Sequence, residues 1–237
     1  MSGHSKWSNI KRKKGVIDAK KSLLFTKLIK EIYIAIKIGG NDPSCNFRLK
    51  SAIQCAKSFS VPKDNIEKAL KKGSNQYDNF IEINYEGAGP FGSCFIVECS
   101  TDNLNRTASD IRSIFNRSGG SMVKSGSFFH IFDKKKVFIL NSDSIKDFDN
   151  FFMEMIDFGV EDLKKEDDHI IILSDLANSF LVQKKIHDLN LDLISENLEW
   201  IPKQKEKINS ESILIIENII ENLENLEDVQ NIYHNIE

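Results

Sequence analysis

Val229-Gln230-Asn231-Ile232-Tyr233, near the far end of a chain of 237 residues, alternates apolar and polar side chains as a half-buried strand does. Before it, Ser210 opens an acidic helix that turns Ile213, Ile216, Ile220 and Leu223 inward. Pro202 to Asn209 is a polar linker. One helix and one strand cannot close a core, so their partners must lie upstream. Residues 79–133 supply three strands and one helix, half of a two-helix layer on a sheet. The C-terminal helix and strand complete it. The expected architecture is therefore a discontinuous α/β domain, 79–133 plus 207–237, with 134–206 inserted as a second α/β unit. Each unit packs helices on one sheet in the manner of the ferredoxin-like plan.

The elements behind this assignment follow hydrophobic period and turn chemistry. Ile81-Glu82-Ile83-Asn84-Tyr85 alternates, Gly87 to Gly92 turns the chain, and Cys94 to Cys99 returns as a second strand. Asp102-Asn103-Leu104-Asn105-Arg106 opens a helix carrying Ile111, Ile114 and Phe115, which Gly119-Gly120 ends. Ser127 to Phe132 reads as the third strand. In the insert, Lys134-Lys135-Lys136 reads as a charged break before a strand over Val137 to Leu140. Phe148, Phe151, Phe152, Met155 and Ile156 mark a helix. Residues 160–173 contain a strand ending in Ile170-Ile171-Ile172-Leu173. Phe180 to Leu189 is helical and Leu193 to Ile201 extended.

Residues 1–78 have a different period. Over 16–38, Phe25, Leu28, Ile29, Ile32 and Ile36 mark one helical face, and Gly39-Gly40 stop it. Asp42-Pro43 reads as the start of a second helix through Leu49, Ile53 and Ala56. Ser60 to Asp64 starts a third, with Ile66, Ala69 and Leu70 buried and Gly73 as its stop. The expected fold class is α+β: an N-terminal three-helix bundle, then two ferredoxin-like domains, the second inserted into the first.

Net charge is −3, but its distribution is uneven. Residues 1–72 hold 17 Lys/Arg against 5 Asp/Glu, a net of +12; residues 73–237 hold 15 against 30, a net of −15. Such asymmetry is the footprint of a protein that meets nucleic acid or another anionic surface. Docking of the basic bundle on the protein's own acidic part is the competing explanation. The opening stretch is polar and basic, with Lys6, Lys11, Arg12, Lys13 and Lys14 around Trp7 and the neighbouring His4. It reads as an extended arm whose cations meet phosphates and whose tryptophan stacks on an unpaired base. On the helix that follows, Lys20, Lys27, Lys30 and Lys37 fall opposite the apolar face, which predicts an outward cationic stripe that includes Ile34. These eleven residues, His4 to Lys37, are the candidate nucleic-acid contacts.

Catalytic and cofactor chemistry is not indicated. Cys45, Cys55, Cys94 and Cys99 form no C-x-x-C pair, and His4, His130, His169, His187 and His234 are scattered. No metal site is expected. Gly87-Ala88-Gly89-Pro90-Phe91-Gly92 matches G-x-G-x-x-G, but it leads into the strand-type Ser93-Cys94-Phe95-Ile96-Val97 rather than a helix, and Pro90 removes a backbone donor. It is read as a hairpin connection, with no cofactor. Asp102 is read as a helix cap paired with Arg106. Phe128, His130 and Phe132 would share one face of the third strand, loosely like a base-stacking sheet, though a buried core strand explains the same spacing. The chain has no apolar run of the ~18 residues a membrane span needs and no secretory opening, so a cytoplasmic protein without membrane contact is expected.

Several segments resemble the YebC/PmpR family: Gly3-His4-Ser5-Lys6-Trp7-Ser8-Asn9-Ile10-Lys11, Asp18-Ala19-Lys20, Phe25-Thr26-Lys27-Leu28-Ile29, Pro62-Lys63-Asp64, Tyr85-Glu86-Gly87, Thr101-Asp102-Asn103 with Asn105-Arg106-Thr107, and Asp228 through Asn235. They run in order along nearly the whole chain. The resemblance implies one helical and two α/β domains and a cytoplasmic, non-enzymatic regulator of gene expression. The family is commonly labelled as DNA-binding transcriptional regulators. It also includes mitochondrial translational activators, which implies the alternative of a ribosome-associated factor contacting ribosomal or transfer RNA. Asn41 and Phe47 stand where the family usually has Gly and Pro, Phe59-Ser60-Val61 replaces a more polar stretch, and residues 134–206 match only in pattern.

Overall fold

The computed structural model describes residues 18–73, 79–145, 147–166 and 168–237, side chains of 18–20 excepted. Three helices come first: α1 (Asp18–Gly39), α2 (Phe47–Ser58) and α3 (Lys63–Lys72). Ile32, Ala35 and Ile36 of α1 pack against Leu49, Ala52 and Ala56 of α2 and Ile66 and Ala69 of α3. Gly40, at φ +82°, ends α1 in the left-handed region that glycine adopts without strain. The cap of α2 differs from the sequence expectation. Asn46, not Asp42, is the N-cap. Its Oδ1 accepts from the Leu49 N–H at 3.0 Å, and its amide donates to the carbonyls of Ala35 at 2.7 Å and Gly40 at 2.8 Å. One buried side chain thus closes the end of α1 and the start of α2, while Asp42 caps only the turn between them through Ser44.

The first sheet holds β1 (Ile81–Ala88), β2 (Cys94–Thr101), β3 (Ser121–Val123) and β8 (Val229–His234) in the order β3-β1-β2-β8, all antiparallel. On one face lie α4 (Leu104–Arg117) and α7 (Ser210–Glu224), whose Ile111, Phe115, Ile216, Ile219, Ile220 and Leu223 meet Phe95, Val97, Cys99 and Val229. The last strand therefore pairs with β2, with the whole second sheet intervening in the sequence, and the C-terminal helix and strand complete the unit begun at residue 79. The second sheet holds β4 (Phe132–Asn141), β5 (Val160–Glu166), β6 (His169–Ser174) and β7 (Leu193–Pro202), ordered β5-β6-β4-β7. With α5 (Phe148–Ile156) and α6 (Ser179–Asp188) it makes the complete βαββαβ ferredoxin-like unit. The first sheet has the same spatial plan, with β1 and β2 joined directly as a hairpin.

Three local expectations are corrected. Residues 127–131 are a turn, not a strand, and the third strand of the first sheet is the short β3. Lys134-Lys135-Lys136 is no break: it lies inside the ten-residue β4, where Lys135 is held by Glu161 and Asp175 and Lys136 by Glu196. The stretch 160–173 is two strands, β5 and β6, paired as a hairpin from Glu166 and His169 onward. A run of charge suggests a chain break only while its partners are out of view, and here ion pairs across the sheet accommodate it.

Candidate nucleic-acid interface

The first helix is gripped from two sides. One side is the helical core. The other faces the first sheet, and there the expected outward stripe is overturned. Lys27 is 6% exposed and Lys30 1% exposed, and Ile34 is buried with them. The Lys27 ammonium donates to the Glu224 carbonyl at the end of α7, 2.6 Å away. Lys30 pairs with Asp228 at 3.1 Å and sits 4.3 Å from the centre of the Phe80 ring. Lys37 stays exposed and donates to the Phe80 carbonyl at 3.2 Å. The stripe faces inward because the acidic C-terminal elements cover it, and helical spacing alone cannot reveal a second covering layer. His4, Lys6, Trp7, Lys11, Arg12, Lys13 and Lys14, and the side chain of Lys20, lie outside the described residues.

Asp228 is the hub of that contact. Besides Lys30 it accepts from the Arg106 guanidinium at 2.9 Å and the hydroxyls of Thr107 at 2.7 Å and Thr101 at 3.1 Å. Asn103 caps α4, and Asp102 beside it pairs with Arg106 at 2.7 Å. Burial pushes the Asp228 carboxyl up, but the hydrogen bonds from Arg106, Thr107 and Lys30 outweigh it and hold it below the ordinary carboxylate range. A second clamp joins Arg48 of α2 to Glu31 at 2.9 Å and to Glu82 of β1 at 2.6 Å. Between the clamps, α1 and α2 face β1, β2, β7 and β8 across a cleft of about 590 Å³. Its charged lining is mixed, with Arg48, Lys134 and Lys136 set against Glu31, Glu82, Glu98 and Glu196. That is not the one-sign surface a phosphate backbone selects.

A larger group of exposed cations lies elsewhere on the same domain, with Asp64 and Glu67 of α3 among them. Lys50 and Lys57 of α2 and Lys63, Lys68, Lys71 and Lys72 of α3 are all exposed. Lys63 pairs with Glu67 at 3.5 Å, while Lys57, Lys68, Lys71 and Lys72 make no ion pair among the described residues. Sequence reasoning takes α2 and α3 only for their buried faces and misses these lysines, although they form a large part of the +12 of residues 1–72. The G-x-G-x-x-G string connects β1 to β2: Pro90 to Gly92 form one short helical turn with Phe91 at φ 60°, and β2 follows directly. Among the described residues no group of three His, Cys, Asp or Glu side chains could hold a metal ion, and no helix is long and apolar enough to cross a membrane.

Two family models cover this arrangement almost end to end. The TACO1/YebC N-terminal domain matches residues 5–76, and the TACO1/YebC second and third domain matches residues 80–236. The chain belongs to the TACO1/YebC family. A relative from Amoebophilus asiaticus is 43% identical over all of this chain and 98% of its own length, and one from Geobacter sulfurreducens is 40% identical over all of this chain and 96% of its own. Both are named probable transcriptional regulatory proteins. The crystal structure of a conserved hypothetical protein from Aquifex aeolicus, Aq1575, superposes with a TM-score of 0.79 at 31% identity, over 94% of this chain and 93% of that one. Asp228, itself held by Thr101, Arg106 and Thr107, and Glu82 are two of the residues that anchor the helical domain on the first sheet.

Proposed function

We propose that this member of the family is a non-enzymatic, cytoplasmic regulator of gene expression that binds nucleic acid through its helical domain. The observation that carries the reading is the division of labour among the cations of residues 21–72. Lys27, Lys30 and Arg48 are consumed by docking on the acidic body, so docking does account for part of the charge. Lys57, Lys68, Lys71 and Lys72 are left facing solvent, on the domain that also bears the basic arm. Such lysines neutralise phosphates and release counterions, giving affinity with little sequence preference. RNA is the favoured partner, in the form of ribosomal or transfer RNA. Lysine is a point charge suited to phosphate, whereas base reading in a DNA major groove favours Arg, Asn and Gln, and Arg48 is already engaged. Trp7 suits the splayed bases of RNA loops. The second reading is a duplex-DNA regulator, and it is favoured by the names of the relatives.

The experiment is competition at physiological salt between duplex DNA and folded ribosomal RNA fragments. It compares the wild type, Trp7→Ala, and a variant with Lys57, Lys68, Lys71 and Lys72 changed to Gln. RNA should win, and Trp7→Ala should weaken RNA more than DNA. The glutamine variant should flatten the slope of log affinity against log salt by about 0.7–0.9 for each phosphate it no longer neutralises. If duplex DNA wins and the Trp7 change costs nothing, the RNA reading falls. If the slope does not move in the glutamine variant, this face is not the contact surface.

A further inference from the structure

We propose that the turn Lys124–Ile131 is a second contact point, one that stacks an unpaired nucleobase on Phe129. The inference rests on the nucleic-acid reading above and adds a site far from the lysines of α2 and α3 in sequence. The turn reverses the expectation for its aromatics. Phe128 and Phe132 point into a small core with Ile96, Trp200 and Tyr233, while Phe129, 51% exposed, and His130 face outward. Phe129 lies flat on Trp200, ring centres 5.4 Å apart and planes 8° from parallel. Trp200 therefore covers part of the ring in an offset stack and about half of the residue stays open to solvent, so an incoming base would extend a stack that already exists.

The turn is held rigid by an unusual commitment. Glu86 is buried at 1% exposure, and its carboxylate accepts the backbone N–H of Gly126 and, at 2.7 Å, that of Phe128. Gly126 has φ +89°, which a glycine tolerates and which brings the two N–H groups onto one carboxylate. The Phe128 carbonyl accepts from Ile131 and Phe132 at 2.9 and 3.1 Å, and the Ile131 carbonyl accepts from the Lys203 N–H at 2.9 Å. A ring fixed in this way loses little conformational freedom when something stacks on it.

The surroundings select a nucleobase over an apolar protein surface. Cations stand in the same turn and on the strands beside it, together with Leu198, which is exposed two residues before Trp200 on β7. Lys124 is exposed in the same turn, Lys203 is exposed and paired to Asp133 at 3.3 Å, and the Lys134 ammonium lies 5.1 Å from the centre of the Trp200 ring. In residues 73–237, which carry a net −15, three lysines gather here around an exposed aromatic ring, against Asp133 paired to Lys203 and Glu98, which accepts from the Trp200 indole at 3.2 Å. Stacking platform plus flanking lysines is the combination that holds single-stranded nucleic acid, the ring taking the base and the ammoniums its phosphates.

The test uses the full-length protein and a short unstructured oligonucleotide, as RNA and as DNA, each with bases and as the abasic version with the same phosphates. The wild type should bind the base-bearing strand more tightly than the abasic one. Phe129→Ala should lose about 5- to 100-fold on the former and nothing on the latter, and Phe129→Tyr should retain the wild-type preference. RNA and DNA behaving alike would still support the stacking site, since both carry the base. Changing Lys11, Arg12, Lys13 and Lys14 to Ala should lower affinity for both strands while leaving the base preference intact. If the wild type binds but Phe129→Ala binds base-bearing and abasic strands as the wild type does, the stacking site is overturned and the wider reading stands. If the wild type binds neither strand at any salt, both fall together.

Discussion

Replacing Asp228 with Asn tests how the helical domain is attached. The substitution keeps size and one acceptor oxygen but removes the charge that faces Lys30, Arg106, Thr107 and Thr101. Arg106 is half exposed and can turn to Asp102 or to water, so its loss is small. Lys30 cannot: at 1% exposure its ammonium would be left with a neutral amide oxygen and the Phe80 ring in place of a carboxylate. Breaking a buried pair by removing one partner costs ~3–5 kcal/mol. Asp228 is itself slightly exposed, so about 3 kcal/mol is expected. At ~2–4 °C per kcal/mol for a chain of this size, that is a fall in melting temperature of about 6–12 °C. Lys30→Met removes the buried cation instead, leaves Asp228 its other three donors, and should cost about 1 kcal/mol. The double variant should fall by clearly less than the two single changes added together, because the stranded cation is no longer present. Thermal unfolding followed by circular dichroism measures all four proteins. A loss below about 2 °C for Asp228→Asn, or strict additivity in the cycle, would refute the account of Asp228 as the anchor. The pH dependence has a fixed sign: the folded carboxyl titrates below its unfolded value, so its contribution is complete above about pH 4 and is lost as pH falls further. The gap between wild type and Asp228→Asn should therefore narrow below about pH 4.

Three further outcomes follow from local geometry. Gly87→Ala should destabilise by ~2–3 kcal/mol in the same melt, because the added Cβ would lie 2.2 Å from Cζ of the buried Phe115 ring. In the native protein, a thiol reagent at about pH 8 should label exposed Cys45 quickly and leave Cys99 intact, since burial pushes the Cys99 thiol up to about 12. Titration with ATP, NAD or FAD should leave the melting temperature unchanged, because the Gly87–Gly92 string runs from strand to strand with no helix N-terminus to hold a pyrophosphate.

What the sequence made legible was period. The alternation at Val229–Tyr233 and the helical spacing of Ile213, Ile216, Ile220 and Leu223 marked a helix and a strand, and the incomplete layer of residues 79–133 was the place left for them; the pairing with β2 carries a register shift at Glu98/Cys99 that alternation does not foretell. The end of the helical region at Gly73 was equally plain, a glycine at φ 63°. What stayed hidden was every feature set by a second covering layer. Lys27 and Lys30 sit on the polar side of an amphipathic helix, and nothing in α1 itself says that α7 and the Asp228 loop close over that side. The same blindness makes Lys134 to Lys136 look like a break, since their partners Glu161, Asp175 and Glu196 lie far along the chain. Ser127 to Phe132 misleads for the opposite reason. Its alternating aromatics fit a strand, but Glu86, a residue of β1, takes the N–H groups that a strand would have given to a neighbour.

The inward lysines bear on the proposed function as well as on stability. A basic domain on a flexible tether could bind its own acidic body as readily as a polyanion. Here three cations are fixed in place by Asp228, the Glu224 carbonyl, and Glu31 with Glu82, so the docked orientation is set by the residues that docking uses. The remaining lysines of α2 and α3 are left to face solvent. On the proposed reading, the acidic remainder then acts against a bound polyanion at close range, within the ~8 Å over which charges act at physiological salt. It repels phosphates from its acidic faces. Charge reversal on the acidic side, for example Glu211, Glu217 and Glu221 to Lys on α7, should consequently raise non-specific affinity and blunt the difference between wild type and the α2–α3 glutamine variant. A filter-binding series at two salt concentrations reads this directly. Unchanged affinity in the charge-reversed protein would show that the acidic body has no part in orienting the ligand.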